Sequence, residues 1–179
     1  MIKRQNGFTI IELTTVIVVI GILVSIVTVN YLGSQAKARD SKRLTDAKAI
    51  EAGLESYRSE NTGYPASSTA TSGTTGEWET SGAAQPGTFL SALKAFGFPT
   101  GVPLDPKNNT ITSTGNTYRY ATYAAGISGC DSTKGAFYVF VVNNLETVSG
   151  ASPQSPGFSC SSRNWQTEGD YVVGHFVNE

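Results

Sequence analysis

The stretch that decides the fold is GFTIIELTTVIVVIGILVSIV, residues 7–27, an apolar run that contains one carboxylate, Glu12. Isoleucine, valine and leucine dominate residues 8–30, which would form a helix about 35 Å long at a rise of about 1.5 Å per residue. That length is enough to cross a hydrocarbon core of about 30 Å. The many β-branched residues do not argue against a helix, because lipid offers no partner for the open edge of a strand. The stretch therefore predicts a helix for apolar surroundings.

A short basic segment, Lys3-Arg4-Gln5-Asn6-Gly7, precedes this run. The basic segment and the apolar run together allow three interpretations. A secretory signal has an apolar centre of about 7–15 residues and a small-x-small cleavage site; this run is longer, and no clear site follows it. A plain membrane anchor leaves Glu12 unexplained, since a charge at the bilayer centre costs about 2.5–3.5 kcal/mol on insertion scales. The third interpretation is a leader that is cut before the apolar run, which then stays in the mature protein.

The residues Lys3-Arg4-Gln5-Asn6-Gly7 and then Phe8-Thr9-Ile10-Ile11-Glu12-Leu13 resemble the N-terminal signature of type IV pilins and pseudopilins. The resemblance implies that a prepilin peptidase cleaves between Gly7 and Phe8, and that the new amino group of Phe8 is N-methylated. It also implies that Glu12 pairs with the N-terminal amine of a neighbouring subunit during assembly. Such a pair offsets the cost of a lone charge in lipid or a fibre core. The alternative places Glu12 at the headgroups, about 6 Å along the helix from Phe8.

The charges that follow the apolar run conflict with the orientation that the signature implies. Basic residues are more frequent after the run than before it: Lys37, Arg39, Lys42, Arg43 and Lys48. Simple counting of positive charges would place the C-terminal part in the cytoplasm. The signature and the cysteine pair favour a single-pass precursor with its leader in the cytoplasm. Interleaved acids indicate that the segment from Lys37 to Lys48 is a solvated face rather than a DNA-binding one.

Residues 33–62 are expected to continue the same helix in amphipathic form. One apolar stripe recurs at steps of three and four: Leu44, Ala47, Ile50, Leu54 and Tyr57. Gly63 and Pro65 then end the helix, so one continuous helix should run from Phe8 to roughly Glu60. The chain is thus divided into a leader (1–7), an apolar helix (8–32), its amphipathic continuation (33–62) and a globular head (63–179).

The head contains short runs that are typical of strands, separated by turn residues. Residues 117–124, 136–143 and 171–176 are rich in β-branched and aromatic residues and predict an antiparallel sheet. The expected fold is therefore α+β, with a long N-terminal α-helix packed on a small antiparallel β-sheet head, the pilin fold that the resemblance implies.

Two connecting segments of the head carry their own predictions. Residues 66–87 are rich in Ser, Thr, Gly and Ala, with Trp78 isolated among them, and predict a surface loop. Residues 88–99 predict a short helix with Thr88 as its cap and Gly97 as its stop.

Cys130 and Cys160 are the two cysteines of the chain. In an exported protein a disulfide between them is expected, and a pair of free buried thiols is the alternative. The bond would contribute about 3–4 kcal/mol in the chain-entropy model.

The sequence offers little support for catalysis or for a cofactor. Its single histidine, His175, lies in a predicted strand without the context of a nucleophile elbow. Two cysteines and one histidine form no zinc pattern, and no phosphate-binding glycine motif occurs. Loop oxygens could bind calcium, as in some pseudopilins, but solvated turn residues are the favoured interpretation: Asp105, Asn108, Asn109 and Asp131. We therefore predict neither an enzyme nor a cofactor.

The function predicted from the resemblance is that of a structural subunit, a major type IV pilin that assembles into an extracellular filament for motility, adhesion or DNA uptake. Head-to-tail repetition without closure generates such a filament. Its partners would be other copies of itself, prepilin peptidase, the pilus assembly machinery and the cytoplasmic membrane that holds the precursor, while a DNA or host-surface ligand stays open. The first alternative is a pseudopilin or minor pilin of a type II secretion or competence system. The second is a membrane-anchored binding module.

Overall fold

The structure, a computed structural model, describes residues 7–67, 78–83, 88–108 and 115–179, without the side chains of residues 27–30. It divides into two compact units, Met1–Ala38 and Arg39–Glu179. Helix α1, Ile10–Glu60, contributes residues to both units. The predicted long helix is thus confirmed. It begins two residues after Phe8 and ends before Gly63 and Pro65, as the stop signals indicate.

The first unit holds the apolar part of α1. Its large apolar side chains are exposed, from 51% at Val16 to 90% at Phe8. By length and composition this helix could cross a membrane. The hydroxyl groups of Thr14, Thr15 and Ser25 donate to backbone carbonyls of the preceding turn, at 3.1, 2.9 and 2.8 Å. These side chains can therefore lie in apolar surroundings without an unpaired donor, which lipid penalises.

The second unit is built on antiparallel strands, which are, in chain order, β1 (Glu79–Thr80), β2 (Tyr118–Tyr123), β3 (Phe137–Val142), β4 (Ser159–Cys160), β5 (Arg163–Asn164) and β6 (Tyr171–Phe176). Within the described residues, four of them form one sheet in the order β1-β2-β3-β6, and β4 pairs with β5. Opposite Phe140 lie Tyr120 on one side and Val173 on the other. The three predicted strands are therefore confirmed. Short 3-10 helices connect the elements at Ser81–Ala83, Ser91–Ala95, Ile127–Gly129, Ser132–Lys134 and Trp165–Glu168.

Side chains alternate between the two faces of the sheet along each strand, and both faces are buried because each is covered by its own apolar cluster. On the first face, Ala47, Ile50 and Leu54 of α1 are fully buried among alternate residues of the sheet: Tyr118, Tyr120, Tyr138, Phe140, Val142, Tyr171 and Val173. On the second face, another cluster packs around Trp165: Trp78, Ala121, Phe137, Val139, Val141, Val172 and Phe176. Burial on both faces explains why β3, FYVFVV, is apolar throughout. The predicted stripe is confirmed, since Leu44 and Tyr57 pack against the first cluster.

The loop prediction for residues 66–87 is wrong at Trp78 and at the residues that follow it. Trp78 is only 4% exposed, and Glu79–Thr80 form the edge strand β1, with Glu79 opposite Tyr120. The guanidinium of Arg119 lies 4.7 Å from the centre of the Trp78 ring. A strand of two residues has no periodicity that local sequence could reveal. The remainder of the predicted loop, residues 68–77 and 84–87, lies outside the described residues.

The short helix predicted at residues 88–99 is also corrected. It is a 3-10 helix, Ser91–Ala95, that begins after Leu90 rather than after Thr88. Leu90 has a left-handed backbone (φ 47°), and its N–H donates to Oε1 of the buried Glu79 at 2.7 Å. This tertiary hydrogen bond sets the start of the helix. Gly97 follows its end with a φ of 96°, as expected for a glycine stop.

Candidate assembly site and a buried charge cluster

The N-terminal site consists of Gly7, Phe8, Thr9 and Glu12, where the chain enters α1. Oε2 of Glu12 accepts hydrogen bonds from the backbone N–H of Thr9 at 2.8 Å and from its hydroxyl at 2.6 Å. The backbone N–H of Glu12 donates to the Thr9 hydroxyl at 3.3 Å. This reciprocal arrangement is a capping box, which satisfies donors that a helix start leaves unpaired. The residues Thr9-Ile10-Ile11-Glu12 carry its Ser/Thr-x-x-Glu signature, which the sequence prediction did not use.

The capping box sets where α1 begins, and it therefore leaves the Gly7–Phe8 bond in non-helical backbone. Phe8 is 90% exposed. The two hydrogen bonds from Thr9 to the Glu12 carboxylate use Oε2. Since a carboxylate can accept several hydrogen bonds through both oxygens, Glu12 can cap its own helix and still accept a donor from another chain. The basic leader residues Lys3 and Arg4 lie outside the described residues.

A second notable site is a cluster of charged side chains around Arg43, whose side chain is fully buried. The Arg43 guanidinium donates from Nε to Asp105 at 2.7 Å and from Nη1 to Asp40 at 2.8 Å and Glu146 at 3.0 Å. The prediction of a solvated face from Lys37 to Lys48 is therefore wrong for Arg43, Asp40 and Asp46, which are 0%, 5% and 8% exposed. The physical reason is periodicity: Arg43 lies four residues before Ala47 and extends the buried stripe by one turn.

Hydrogen bonding keeps Glu146 and Asp40 ionised. Glu146 also accepts from Arg39 at 2.6 Å and from Lys107 at 2.8 Å, and the bonds from Arg39 above all hold its pKa far below the usual value. Burial acts to raise the pKa of Asp40, but hydrogen bonds from the backbone of Glu146 and from Thr147 outweigh it and lower that pKa. The ion pairs of Arg43 thus connect α1 to the segments around Asp105 and Glu146.

The loop oxygens considered for calcium have protein partners instead. Asp105 pairs with Arg43, Oδ1 of Asn108 accepts from the Ser81 hydroxyl at 3.1 Å, and Asp131 accepts from the N–H of Thr133 at 2.9 Å. Asn109 lies outside the described residues. In the part of the chain that the structure describes, no group of three or more His, Cys, Asp or Glu residues is placed to hold a metal ion.

The cysteines and the histidine lie on different parts of the head. A disulfide bond joins Cys130, which follows the 3-10 helix Ile127–Gly129, to Cys160 of β4. His175 lies on β6, with Nε2 at 2.9 Å from Oε1 of Glu51 and Nδ1 at 3.3 Å from Oε2 of Glu179.

The N-terminal site also matches a known family motif. Residues 2–28 match the family described as the prokaryotic N-terminal methylation motif. The chain thus carries this motif at its N-terminus, and with its long N-terminal helix packed on a small antiparallel sheet it resembles type IV pilins and pseudopilins.

The chain also matches curated relatives over about a third of its length. Three of them are named type II secretion system core protein G. They come from Dickeya chrysanthemi (42% identical over 65 residues), Aeromonas hydrophila (43% over 63) and Vibrio cholerae (43% over 63). The aligned residues are 36%, 35% and 35% of this chain and 42%, 44% and 43% of theirs, so the chain spans less than half the length of these relatives. No solved structure matches. The relatives are named as components of a secretion system and not as enzymes, in agreement with the non-catalytic class predicted above.

Proposed function

We propose that this chain is a pseudopilin, a structural subunit that self-assembles into a periplasmic filament of a type II secretion system. The observation that carries the proposal is an exposed apolar helix that begins at Ile10, two residues after Phe8. Glu12 is the one charged residue between residues 8 and 36. Exposed apolar surface of this extent needs lipid or other copies of the same helix around it. The similarity to core protein G favours secretion over a surface pilus.

The proposal divides the chain by role. The leader, residues 1–7, is removed between Gly7 and Phe8 by prepilin peptidase, and the amine of Phe8 is methylated. Residues 8–32 hold the precursor in the cytoplasmic membrane and later form the filament core. Residues 33–62 continue the helix into the head, residues 63–179, which forms the filament surface. The disulfide between Cys130 and Cys160 suits a head that lies outside the cytoplasm.

In this scheme Glu12 selects the position of each subunit relative to its neighbour. Its carboxylate pairs with the ammonium group of Phe8 of an adjoining copy, because either charge alone is costly in the apolar surroundings of a fibre core. The capping box supports this role, since the bonds from Thr9 hold the carboxylate at the start of the helix.

Mass spectrometry of the N-terminus of the protein from its own cells tests the processing. The expected mature chain starts at Phe8 with a methylated amine. A chain that keeps Met1 would contradict the proposal and favour a membrane-anchored binding module.

Substitution of Glu12 tests assembly and separates its two roles. Glu12→Ala and Glu12→Gln should both stay in the membrane and be cleaved, but both should lose filament assembly, measured by cross-linking and by electron microscopy of released filaments. Gln keeps an oxygen that can cap the helix and lacks the charge. Glu60→Gln, an exposed change at the other end of α1, is the matched control. Assembly by Glu12→Gln but not by Glu12→Ala would assign Glu12 to capping alone.

The second candidate is a major subunit of a type IV pilus, which the disulfide-bonded head also suits. Deletion of the gene distinguishes the two. The pseudopilin proposal predicts that exported enzymes accumulate in the periplasm, whereas a surface pilin predicts that shearing of cells releases abundant filaments of this chain.

A further inference from the structure

His175 is the only histidine of the chain and faces two carboxylates at once. Its Nε2 lies 2.9 Å from Glu51 of α1, and its Nδ1 lies 3.3 Å from Glu179 near the C-terminus. A carboxylate can only accept hydrogen bonds, and a neutral imidazole has one N–H donor. Both contacts can therefore be hydrogen bonds only when the ring carries two protons and a positive charge.

A buried hydroxyl next to this site supplies a second observation. The ring of Tyr138 lies 5.8 Å from that of His175, and its hydroxyl, which is fully buried, has no hydrogen-bond partner among the described residues. Burial first, and then the charge of Glu51, raise the pKa of Tyr138. The Oε1 atom of Glu51 is engaged by His175.

We propose that His175 is a pH-dependent clamp between the last strand and α1. When protonated, the imidazole bridges Glu51 and Glu179 and holds β6 and the C-terminus on the helix. When neutral, it loses the hydrogen bond to one of the two carboxylates. The clamp contributes stability while the imidazole is protonated and loses it as the pH rises and the proton is released.

Besides Glu51 and Glu179, other charged and titratable groups lie near the clamp. They come from α1, β3, β6 and the adjoining segments: Glu55, Arg58, Tyr64, Lys134, Tyr138 and Tyr171. Arg58 pairs with Glu55 at 2.8 Å, and Tyr64 also donates to Glu55 at 2.7 Å. These partners engage Glu55, while Glu51 and Glu179 are the carboxylates that lie in contact with His175.

The test uses the full chain in detergent micelles and compares thermal unfolding at pH 5.5 and pH 8.0. The melting temperature of the wild type should fall between pH 5.5 and pH 8.0 by about 2–4 °C more than that of His175→Gln, because glutamine has no charge at either pH. His175→Lys is charged at both values, so its pH dependence should match that of His175→Gln, at a higher melting temperature. Glu60→Gln, an exposed carboxylate on the same helix, should keep the wild-type difference.

Hydrogen exchange of residues 171–179, corrected for the intrinsic effect of pH, gives a local readout. Protection should fall between pH 5.5 and 8.0 in the wild type and stay constant in His175→Lys. Equal pH dependence of the wild type and His175→Gln in both measurements would overturn the clamp. If His175→Gln does not fold, Glu51→Gln takes its place, and a wild-type pH dependence in that variant would overturn it equally. Both measurements apply whether or not the chain assembles into filaments.

Discussion

At the scale of single residues, Arg43 shows how a charge is accommodated in the core. A buried guanidinium loses its hydration, which is tolerable only when its donors are matched by carboxylates in good geometry. Both carboxylate oxygens of Asp105 accept hydrogen bonds, from Nε at 2.7 Å and from Nη2 at 3.3 Å, and Asp40 and Glu146 accept from Nη1. The planar, five-donor guanidinium suits this arrangement in a way that an ammonium group does not.

Replacement of Arg43 by methionine should therefore destabilise the head strongly. The change keeps much of the side-chain volume but leaves buried carboxylates without their counter-charge, which costs about 3–5 kcal/mol. Urea denaturation followed by tryptophan fluorescence measures the loss. Lys48→Met, an exposed change five residues along the same helix, is the control. A loss in Arg43→Met no larger than in Lys48→Met would show that the cluster contributes little to stability.

At the scale of elements, β6 depends on a glycine because another segment approaches it closely. Gly174 pairs with Val139 of β3. A Cβ at position 174 would lie 2.6 Å from the Phe158 ring and 2.7 Å from the backbone oxygen of Tyr138. The aromatic ring can cover the second face of the sheet at this point only because the strand carries no side chain there.

Gly174→Ala should lower the free energy of unfolding by about 1–3 kcal/mol, the usual range for overpacking a well-packed core. The same denaturation experiment checks it. Gly33→Ala is the matched control, since its added Cβ would meet nothing within 4 Å and alanine is the better helix former. Equal stability of Gly174→Ala and the wild type would mean that Phe158 moves aside freely.

At the scale of the whole molecule, the charge cluster around Arg43 and the His175 clamp give the stability of the fold opposite dependences on pH. The pKa of Glu146 is lowered, first by Arg39, and that of Asp40 is lowered by its hydrogen bonds despite burial. A lowered carboxyl pKa stabilises the folded state above the pKa of the unfolded chain, and this contribution is lost as the pH falls through the folded value. The His175 clamp, in contrast, weakens as the pH rises.

The variant Glu146→Gln tests how much Glu146 contributes to the loss of stability at low pH. In the wild type, the contribution of Glu146 to the melting temperature should be constant from pH 7 down to about pH 5 and then decline progressively, since an unperturbed glutamate titrates near pH 4.3. Glu146→Gln should start lower at neutral pH and show a shallower decline, measured by thermal unfolding from pH 2.5 to 7. Glu60→Gln should keep the wild-type slope. An unchanged slope in Glu146→Gln would contradict the assignment.

Several features could be predicted from the sequence because short-range pattern determines them. The length and apolarity of residues 8–30 indicate a helix for apolar surroundings. Helical spacing of Ala47, Ile50 and Leu54 identifies the face that packs on the head, and β-branched and aromatic runs mark β2, β3 and β6. Glu12 could be singled out because it interrupts the apolar run, and Thr9 could have been added from the spacing of a capping box.

Only the tertiary structure decided the features that depend on distant partners. Arg43 is buried because Asp105 and Glu146, 62 and 103 residues away, supply its counter-charges. Trp78 is buried because Glu79–Thr80 pair with a strand about forty residues later, and Leu90 takes a left-handed conformation with its N–H bonded to Glu79. Burial of a charge or pairing of a two-residue strand is stable only when its partners are in place, and local sequence does not show where the chain brings them.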